Sequence, residues 1–174
     1  MSGIAVRLRP YREQDLDVVM SRFITEPAIM EPFTWFGYRS PHVRRLRWEE
    51  DNFLEKDPRL LVIALESDDT PIGHMMWKDV SLFPHGTSWE IGILMLPEYR
   101  GQGAGSAAQR LMVDHLFSTT TAHRICANTE AENLAEQRAL EKCGFRREGL
   151  LQQAAFRAGA WRDVFVYGLL RDER

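Results

Sequence analysis

The 174-residue sequence predicts an α/β (α+β) fold: a mixed, mostly antiparallel sheet of seven strands with helices on both faces. Short apolar segments of strand length alternate along the chain with longer segments whose apolar residues recur at helical spacing. In addition, a glycine-rich turn at 101–105 joins the end of one apolar segment to the start of a helical one. The length suits a single domain, residues 1–174, with a sizeable core.

The N-terminal third predicts one edge strand and two helices. Ile4–Arg9 alternates apolar and charged residues, as an edge strand does. A helix follows Pro10, and its apolar residues fall on one face: Leu16, Val19, Met20 and Phe23. Residues 26–41 are rich in proline and aromatic residues and are predicted to be irregular, and a second helix covers about 42–55.

The rest of the chain predicts the body of the sheet. Leu60–Leu65 is uninterrupted apolar sequence, which is typical of a strand buried on both faces. The turn Asp68–Pro71 then pairs it with an antiparallel strand at Ile72–Val80. The remaining elements are a strand at Trp89–Leu96, a helix after the glycines, a strand at Arg124–Thr129, a helix from Asn133, and strands at about 145–157 and 161–170.

The glycine-rich turn predicts an anion site. The first N–H groups of a helix lack intrahelical partners and carry partial positive charge, and glycines let an anion approach them. No lysine follows the glycines, as a Walker loop requires, and their spacing does not fit a dinucleotide fingerprint. A strand-to-helix turn that binds no ligand is the alternative interpretation. The predicted phosphate cradle comprises Arg100, Gly101, Gln102, Gly103, Ala104, Gly105 and Ser106.

Two motifs resemble those of a known family. The pattern Arg100-x-x-Gly103-x-Gly105 is similar to the signature of the GCN5-related N-acetyltransferase (GNAT) superfamily, whose loop holds the coenzyme A pyrophosphate. The segment Asn133–Phe145 resembles a second motif of that superfamily, in the form used by its RimJ/RimL-like branch. One helix, one strand and a short loop separate the motifs, as in the family. With the ending Trp161–Tyr167, the resemblance covers about residues 4–170.

The resemblance implies an acetyl-CoA cosubstrate and no metal. In the family, two parallel strands splay apart, and the backbone of the first pairs with the pantetheine arm. Here that role would fall to Leu94, Met95 and Leu96, with one N–H polarising the thioester oxygen. Asn133 matches an asparagine that contacts the pantetheine arm in the family, although it also suits a helix cap.

Acetyl transfer needs a base for the amine and an acid for the departing thiolate. Glu90 is the candidate base, with apolar neighbours able to raise its pKa, although it also suits a solvent-facing or arginine-paired carboxylate. Asn128 stands where another branch of the superfamily has its base. Relatives place a serine or tyrosine acid where this chain has Glu136 and Leu140. A capping box with Asn133 is the more favoured interpretation of Glu136. The alternative for the leaving group is that the coenzyme A thiol departs without a dedicated acid.

The acceptor pocket is expected where residues 31–41 meet the final hairpin. Five aromatic residues would form its wall, unless they simply pack the loop onto the sheet: Trp35, Phe36, Tyr38, Phe156 and Trp161. His74 and Trp77 must point to opposite faces of their strand, so at most one can face this pocket.

Composition narrows the choice of partners. A net charge of −3 gives no argument for nucleic acid, and the basic run at 42–47 is balanced by acidic residues after it. No apolar run approaches the ~20 residues of a membrane span, and the N-terminal segment has no signal-peptide core. Cys126 and Cys143 match no metal-ligand spacing. We therefore expect a cytoplasmic protein with no membrane partner, and a homodimer is possible.

Together these observations predict an acetyl-CoA-dependent N-acetyltransferase. Its acceptor would be a primary amine, either a protein N-terminus or a small molecule, which attacks the thioester directly in a ternary complex. The alternative is a non-catalytic acyl-CoA-binding sensor or scaffold, because the serine and tyrosine used by relatives are missing.

Overall fold

The computed structural model describes residues 4–35, 37–82 and 86–174. Its seven strands form one sheet in the order β1-β2-β3-β4-β5-β7-β6. Only β4 and β5 run parallel, and the other five neighbouring pairs are antiparallel. The predicted fold class is therefore confirmed. The strands are β1 (Val6–Arg9), β2 (Arg59–Leu65), β3 (Pro71–Asp79), β4 (Ser88–Met95), β5 (Arg124–Glu130), β6 (Arg146–Arg157) and β7 (Ala160–Leu170).

Helices cover both faces of the sheet. They are α1 (Glu13–Asp15), α2 (Ser21–Thr25), α3 (Pro27–Met30), α4 (Pro41–Asp51), α5 (Ala104–Thr119) and α6 (Leu134–Lys142), and a π-helical turn at Leu16–Met20 joins α1 to α2. Among the described residues, no helix combines the length and the apolarity that crossing a membrane requires.

The main core lies between α5 and one face of the sheet. The buried side of α5 carries small and flexible residues, including Ala104, Ala108 and Met112, all with no measurable exposure. They pack against Met75 of β3 and Ile125 of β5. Because alanines let the helix axis approach the sheet closely, α5 begins directly beside the end of β4.

The opposite face carries the N-terminal helical stretch. Leu16 and Met20 pack there against Leu60 and Val62 of β2. Since β2 also contributes Ile63 to the core under α5, it is buried on both faces, as its apolar sequence predicts. The π-helical turn between α1 and α2 has no signal in the sequence.

Two helix predictions in this region are wrong. The segment 26–41 contains the short helix α3, which begins with proline at its first position. Helix α4 ends at Asp51 instead of residue 55, because the Asp51 carboxylate accepts the N–H groups of Phe53 at 2.8 Å and Lys56 at 3.0 Å. This turn directs the Phe53 side chain into the core, where it is fully buried.

The parallel strands β4 and β5 separate part-way along their length. Their pairing covers only Ser88–Ile91 of β4 and ends at the pair Ile91 and Ala127. Beyond that point β4 continues to Met95 with β3 alone, and β5 continues to Glu130 with β7 alone. The sheet therefore opens at its centre, and the opening positions the candidate site.

Candidate active site

A cavity of about 540 Å³ occupies the opening between β4 and β5. Its walls come from both strands, α2, α3, the segment before α4, the start of α6 and the β6–β7 hairpin. Side chains from both faces of the sheet line it, including Glu90 on one side and Glu136 on the other. The cavity therefore connects the two faces of the sheet.

Backbone direction along β4 decides which peptide groups face the opening. The Leu96 N–H donates to Ile72 O of β3 at 2.9 Å, whereas Thr87 O accepts the His123 N–H from the β5 side at 3.2 Å. Because these directions alternate along a strand, odd-numbered residues of β4 face β5. The groups at the opening thus belong to Ile93 and Met95. The predicted Leu94 and Leu96 point their peptide groups towards β3, which corrects that part of the prediction.

The turn after β4 delivers the start of α5 to the same opening. Gly103 caps the helix with φ of 85°, a left-handed conformation that disfavours other residues. The next three N–H groups, of Ala104, Gly105 and Ser106, have no intrahelical partner. A Cβ on Gly105 would lie 3.2 Å from the Met95 sulfur, so glycine there also permits close packing on β4.

The side chains of Arg100 and Gln102, both in the predicted cradle, form hydrogen bonds with backbone carbonyls of the protein itself. The Arg100 guanidinium donates to Met95 O at 2.9 Å and to Ile29 O, which joins the end of β4 to α3. Gln102 Nε2 donates to Glu98 O at 2.7 Å. Within this turn, the backbone amides at the start of α5 are therefore the groups arranged to receive an anion.

Glu90 lies on the cavity wall between two polar partners. Its carboxylate contacts Lys78 Nζ at 3.1 Å and accepts a hydrogen bond from Asn128 Nδ2 at 3.0 Å. The neighbouring Ile91 belongs to the core on the other face of the sheet, and Trp89 packs against that core. The apolar surroundings expected from the sequence are therefore on the far side of β4, and the partner of Glu90 is a lysine, not an arginine.

Glu136 faces the cavity from the first turn of α6. Asn133 Oδ1 accepts the Glu136 N–H at 3.3 Å, so Asn133 caps the helix. The reciprocal bond of a capping box is absent, because the Asn133 N–H donates to Glu130 O and the Glu136 carboxylate accepts from Gln109 Nε2 at 2.6 Å. The predicted capping box is therefore wrong. Burial raises the pKa of Glu136 to about 7, and the Gln109 hydrogen bond partly opposes that rise.

The predicted aromatic wall separates into two pairs. Trp35 and Tyr38 meet edge to face with ring centroids 5.1 Å apart, and Phe156 and Trp161 do so at 5.3 Å. Trp35 lines the cavity, whereas Tyr38, Phe156 and Trp161 are mostly exposed. Phe36 lies outside the described residues.

The sequence analysis missed a buried ion pair at the cavity wall, between Glu130, which lines the cavity, and Arg157. Arg157 donates to both oxygens of Glu130, at 2.6 and 2.7 Å, and both residues are buried. The Arg157 guanidinium also lies over the Phe33 ring, 5.5 Å from its centroid. The pair connects β5, β6 and the segment before α4, and nothing in the sequence signals a contact between residues so far apart.

His74 also lines the cavity and is almost fully buried. Its Nδ1 lies 2.8 Å from the Tyr11 hydroxyl, and burial lowers the pKa of the ring to about 3. Trp77 packs into the core under α5, so the two side chains point to opposite faces, as predicted. In the described ranges, no three His, Cys, Asp or Glu side chains are grouped to hold a metal.

Comparison with known proteins assigns the chain to a family. Residues 5–146 match the family model of the Acetyltransferase (GNAT) domain. The chain belongs to the GNAT acetyltransferase family. One relative, the "Probable N-acetyltransferase YjcK" of Bacillus subtilis, is 33% identical over 99% of this chain and 98% of its own length.

Solved structures show the same GNAT fold. RimJ of Mycobacterium smegmatis, in complex with CoA-disulfide, has a TM-score of 0.80 and is 28% identical, covering 97% of this chain and 83% of its own. Spermidine N-acetyltransferase of Vibrio cholerae, in complex with CoA and spermine, has a TM-score of 0.83 and is 24% identical, covering 97% and 96%.

Proposed function

We propose that residues 1–174 form a single N-acetyltransferase domain that transfers an acetyl group from acetyl-CoA to a primary amine by direct attack in a ternary complex. The observation that carries this proposal is the opening between β4 and β5. It lies beside the start of α5, where Gly105 packs against β4, and its cavity contains the carboxyl groups of Glu90 and Glu136 from opposite faces of the sheet.

The chain's backbone fits coenzyme A. The N–H groups of Ala104, Gly105 and Ser106 would receive the pyrophosphate, and the edge of β4 at the Ile93 peptide groups and the Met95 N–H would pair with the pantetheine arm, since Met95 O already accepts from Arg100. When bound, acetyl-CoA supplies an activated acetyl thioester. The N–H groups of β4 at the opening are the donors able to stabilise negative charge on the thioester oxygen.

Glu90 is the proposed base. An alkyl amine is protonated at neutral pH, with a pKa of about 10.4, so a proton must leave before the nitrogen attacks. Lys78 and Asn128 hold the Glu90 carboxylate at a fixed place on the cavity wall. It would accept the amine proton either directly or through a water molecule.

Glu136 is the proposed proton donor for the departing thiolate. Its carboxyl group is substantially protonated near neutral pH, because burial raises its pKa to about 7. Gln109 fixes its orientation, and Asn133 caps the same helix turn. The carboxyl proton would move to the sulfur as the carbon–sulfur bond breaks, and Glu136 would then regain a proton from solvent.

Release of free thiol from acetyl-CoA in the presence of a panel of primary amines tests the function. We expect thiol release to match acetylated product one to one. Glu90→Gln should lower kcat by about 10²-fold or more and remove the acidic limb of the pH–rate profile. The control is Glu66→Gln, because Glu66 is an exposed carboxylate at the β2–β3 turn.

Two outcomes would contradict these proposals. Acetyl-CoA binding without thiol release for any amine would support the sensor or scaffold alternative. A Glu90→Gln variant with the turnover and pH profile of the Glu66→Gln control would leave Glu90 as a positioning residue only.

A further inference from the structure

The acidic residues of the cavity are all provided with partners. Three carboxylates line it, and each has a hydrogen-bonding or ionic neighbour: Glu90 with Lys78 and Asn128, Glu130 with Arg157, and Glu136 with Gln109. Lys78 and Arg157 offset the charges of Glu90 and Glu130, and Glu136 is substantially protonated near neutral pH, so the cavity presents little free negative charge to an acceptor.

The arginines that line the cavity, unlike its acidic residues, lack partners within the part of the chain that the structure describes. Arg39 and Arg44 line the same cavity, Arg39 at its exposed rim and Arg44 half-buried, and among the described residues neither guanidinium forms a hydrogen bond or an ion pair. Their neighbours on α4 are occupied: Arg45 pairs with Glu13 at 3.0 Å, and Arg47 donates to Pro58 O at 2.6 Å. Among the described residues 37–51, the arginines whose side chains lack partners are therefore the ones that line the cavity, whereas the other arginines of α4 are paired.

Arg44 is held in an unfavourable position for an unpaired cation. It is half-buried, and burial together with the positive charges of Arg39 and Arg47 lowers its pKa. Removing a cation from water without a counter-ion costs free energy. An anion that bound between Arg39 and Arg44 would offset that cost and relieve their mutual repulsion.

We infer that the acceptor is a primary amine that carries a carboxylate or phosphate group on the same molecule, bound by Arg39 and Arg44 while the amine faces Glu90. This inference rests on the proposed function. The planar guanidinium matches both anions with two parallel hydrogen bonds. Apolar side chains, including Met20, Phe23 and Met30, lie on the cavity wall and suit a hydrocarbon spacer between the two charged ends.

The same arrangement disfavours a polyamine. The second ammonium group of a polyamine would enter a region that holds two unpaired arginines, and its nearest acidic groups are already bound to other residues. Like charges placed together in a partly desolvated site reduce affinity.

Matched acceptor pairs test the inference on the wild-type enzyme. Each pair keeps the amine and removes the anion: ω-amino carboxylates against their amides, and aminoalkyl phosphates against amino alcohols, with spermidine as the polyamine. We expect kcat/KM to be about 10- to 100-fold higher for the anionic member of a pair, as for a hydrogen bond to a charged group. Comparing the carboxylate and phosphate series identifies the preferred anion.

Variants locate the effect. Arg44→Gln should raise KM for the anionic acceptor about 10- to 100-fold, with little change for its uncharged partner and none in the acetyl-CoA Kd. Arg45→Gln is the matched control, because Arg45 lies next to Arg44 but faces Glu13 and Asp17. Arg44→Lys keeps the charge and loses the planar guanidinium. Its KM for the anionic acceptor should lie between those of Arg44→Gln and Arg45→Gln, and it replaces Arg44→Gln in the test if that variant fails to fold.

Equal or better use of the uncharged amines or of spermidine would overturn the inference while leaving acetyl transfer established. Equal effects of Arg44→Gln and Arg45→Gln would also overturn it. Failure of every amine to release thiol would instead contradict the proposed function itself, so the two failures are distinguishable.

Discussion

At the scale of single residues, the surroundings of Glu136 should make the stability of the protein depend on pH. Its carboxyl is buried beside Gln109, and its pKa rises from 4.5 to about 7. The folded protein therefore binds this proton more tightly than the unfolded chain does. The contribution to stability is complete below about pH 4.5 and is lost as the pH rises towards 7.

Glu136→Gln should remove this pH dependence. Between pH 4 and pH 8 the free energy of unfolding of the wild type should fall relative to that of the variant, by about 1.4 kcal/mol for each unit of pKa shift. Urea denaturation at both pH values measures the difference. Glu66→Gln, at an exposed site, should behave as the wild type does. If Glu136→Gln also kept the wild-type pH dependence, Glu136 would not be a buried acid.

At the scale of secondary structure, the residues between β4 and α5 turn the chain, let α5 pack closely on β4 and connect the end of β4 to α3. Gly103 turns the chain in the left-handed conformation, and Gly105 lets α5 pack against Met95. Arg100 donates to the carbonyls of Met95 and Ile29, so the end of β4 and α3 are held together. The N–H groups of α5 are thereby fixed relative to the edge of β4 that we expect to bind pantetheine.

Gly103→Val should abolish acetyl-CoA binding while the fold survives. The new side chain would be strained at φ of 85° and would crowd the amides of α5. Gly159→Val is a matched control, because Gly159 has φ of 76° at the β6–β7 turn, with open space around its Cβ position. Calorimetry should show normal acetyl-CoA affinity for the control only. Equal affinity in both variants would contradict the cradle assignment.

At the scale of the whole molecule, the Glu130–Arg157 pair joins elements that are distant in sequence. It connects the end of β5 to the end of β6, and Arg157 extends the contact to Phe33. These elements form one side of the cavity, so that side depends on a buried contact and not on a single loop.

Arg157→Met should destabilise the protein by about 3–5 kcal/mol, because it leaves Glu130 buried without its partner. The double variant Glu130→Met/Arg157→Met should recover much of that loss. Arg162→Met is the control, since the neighbouring Arg162–Glu132 pair has an exposed carboxylate and should contribute about 1 kcal/mol or less. Thermal denaturation measures all three. A loss for Arg157→Met no larger than for Arg162→Met would show that the buried pair does not support the cavity wall.

Local sequence was sufficient to predict the order of the seven strands, the helices after residue 40 and the position of the glycine-rich turn. These features depend on short-range properties: apolar periodicity, turn residues and the backbone freedom of glycine. The errors in the helices are also local. The side chain of Asp51 ends α4 by binding two backbone N–H groups that would otherwise be available to a continuing helix. The spacing of apolar residues gives no indication of this.

Only the tertiary structure decided which peptide groups face the opening between β4 and β5 and which side chains pair at the cavity wall. Peptide direction on β4 alternates with every residue, so the register against β3 turns the peptide groups of Ile93 and Met95 towards β5 and those of Leu94 and Leu96 towards β3. The partner of Glu136 lies on another helix, and Arg157 meets Glu130 across the sheet. Such contacts depend on packing between distant segments, whose side-chain directions no short sequence window specifies.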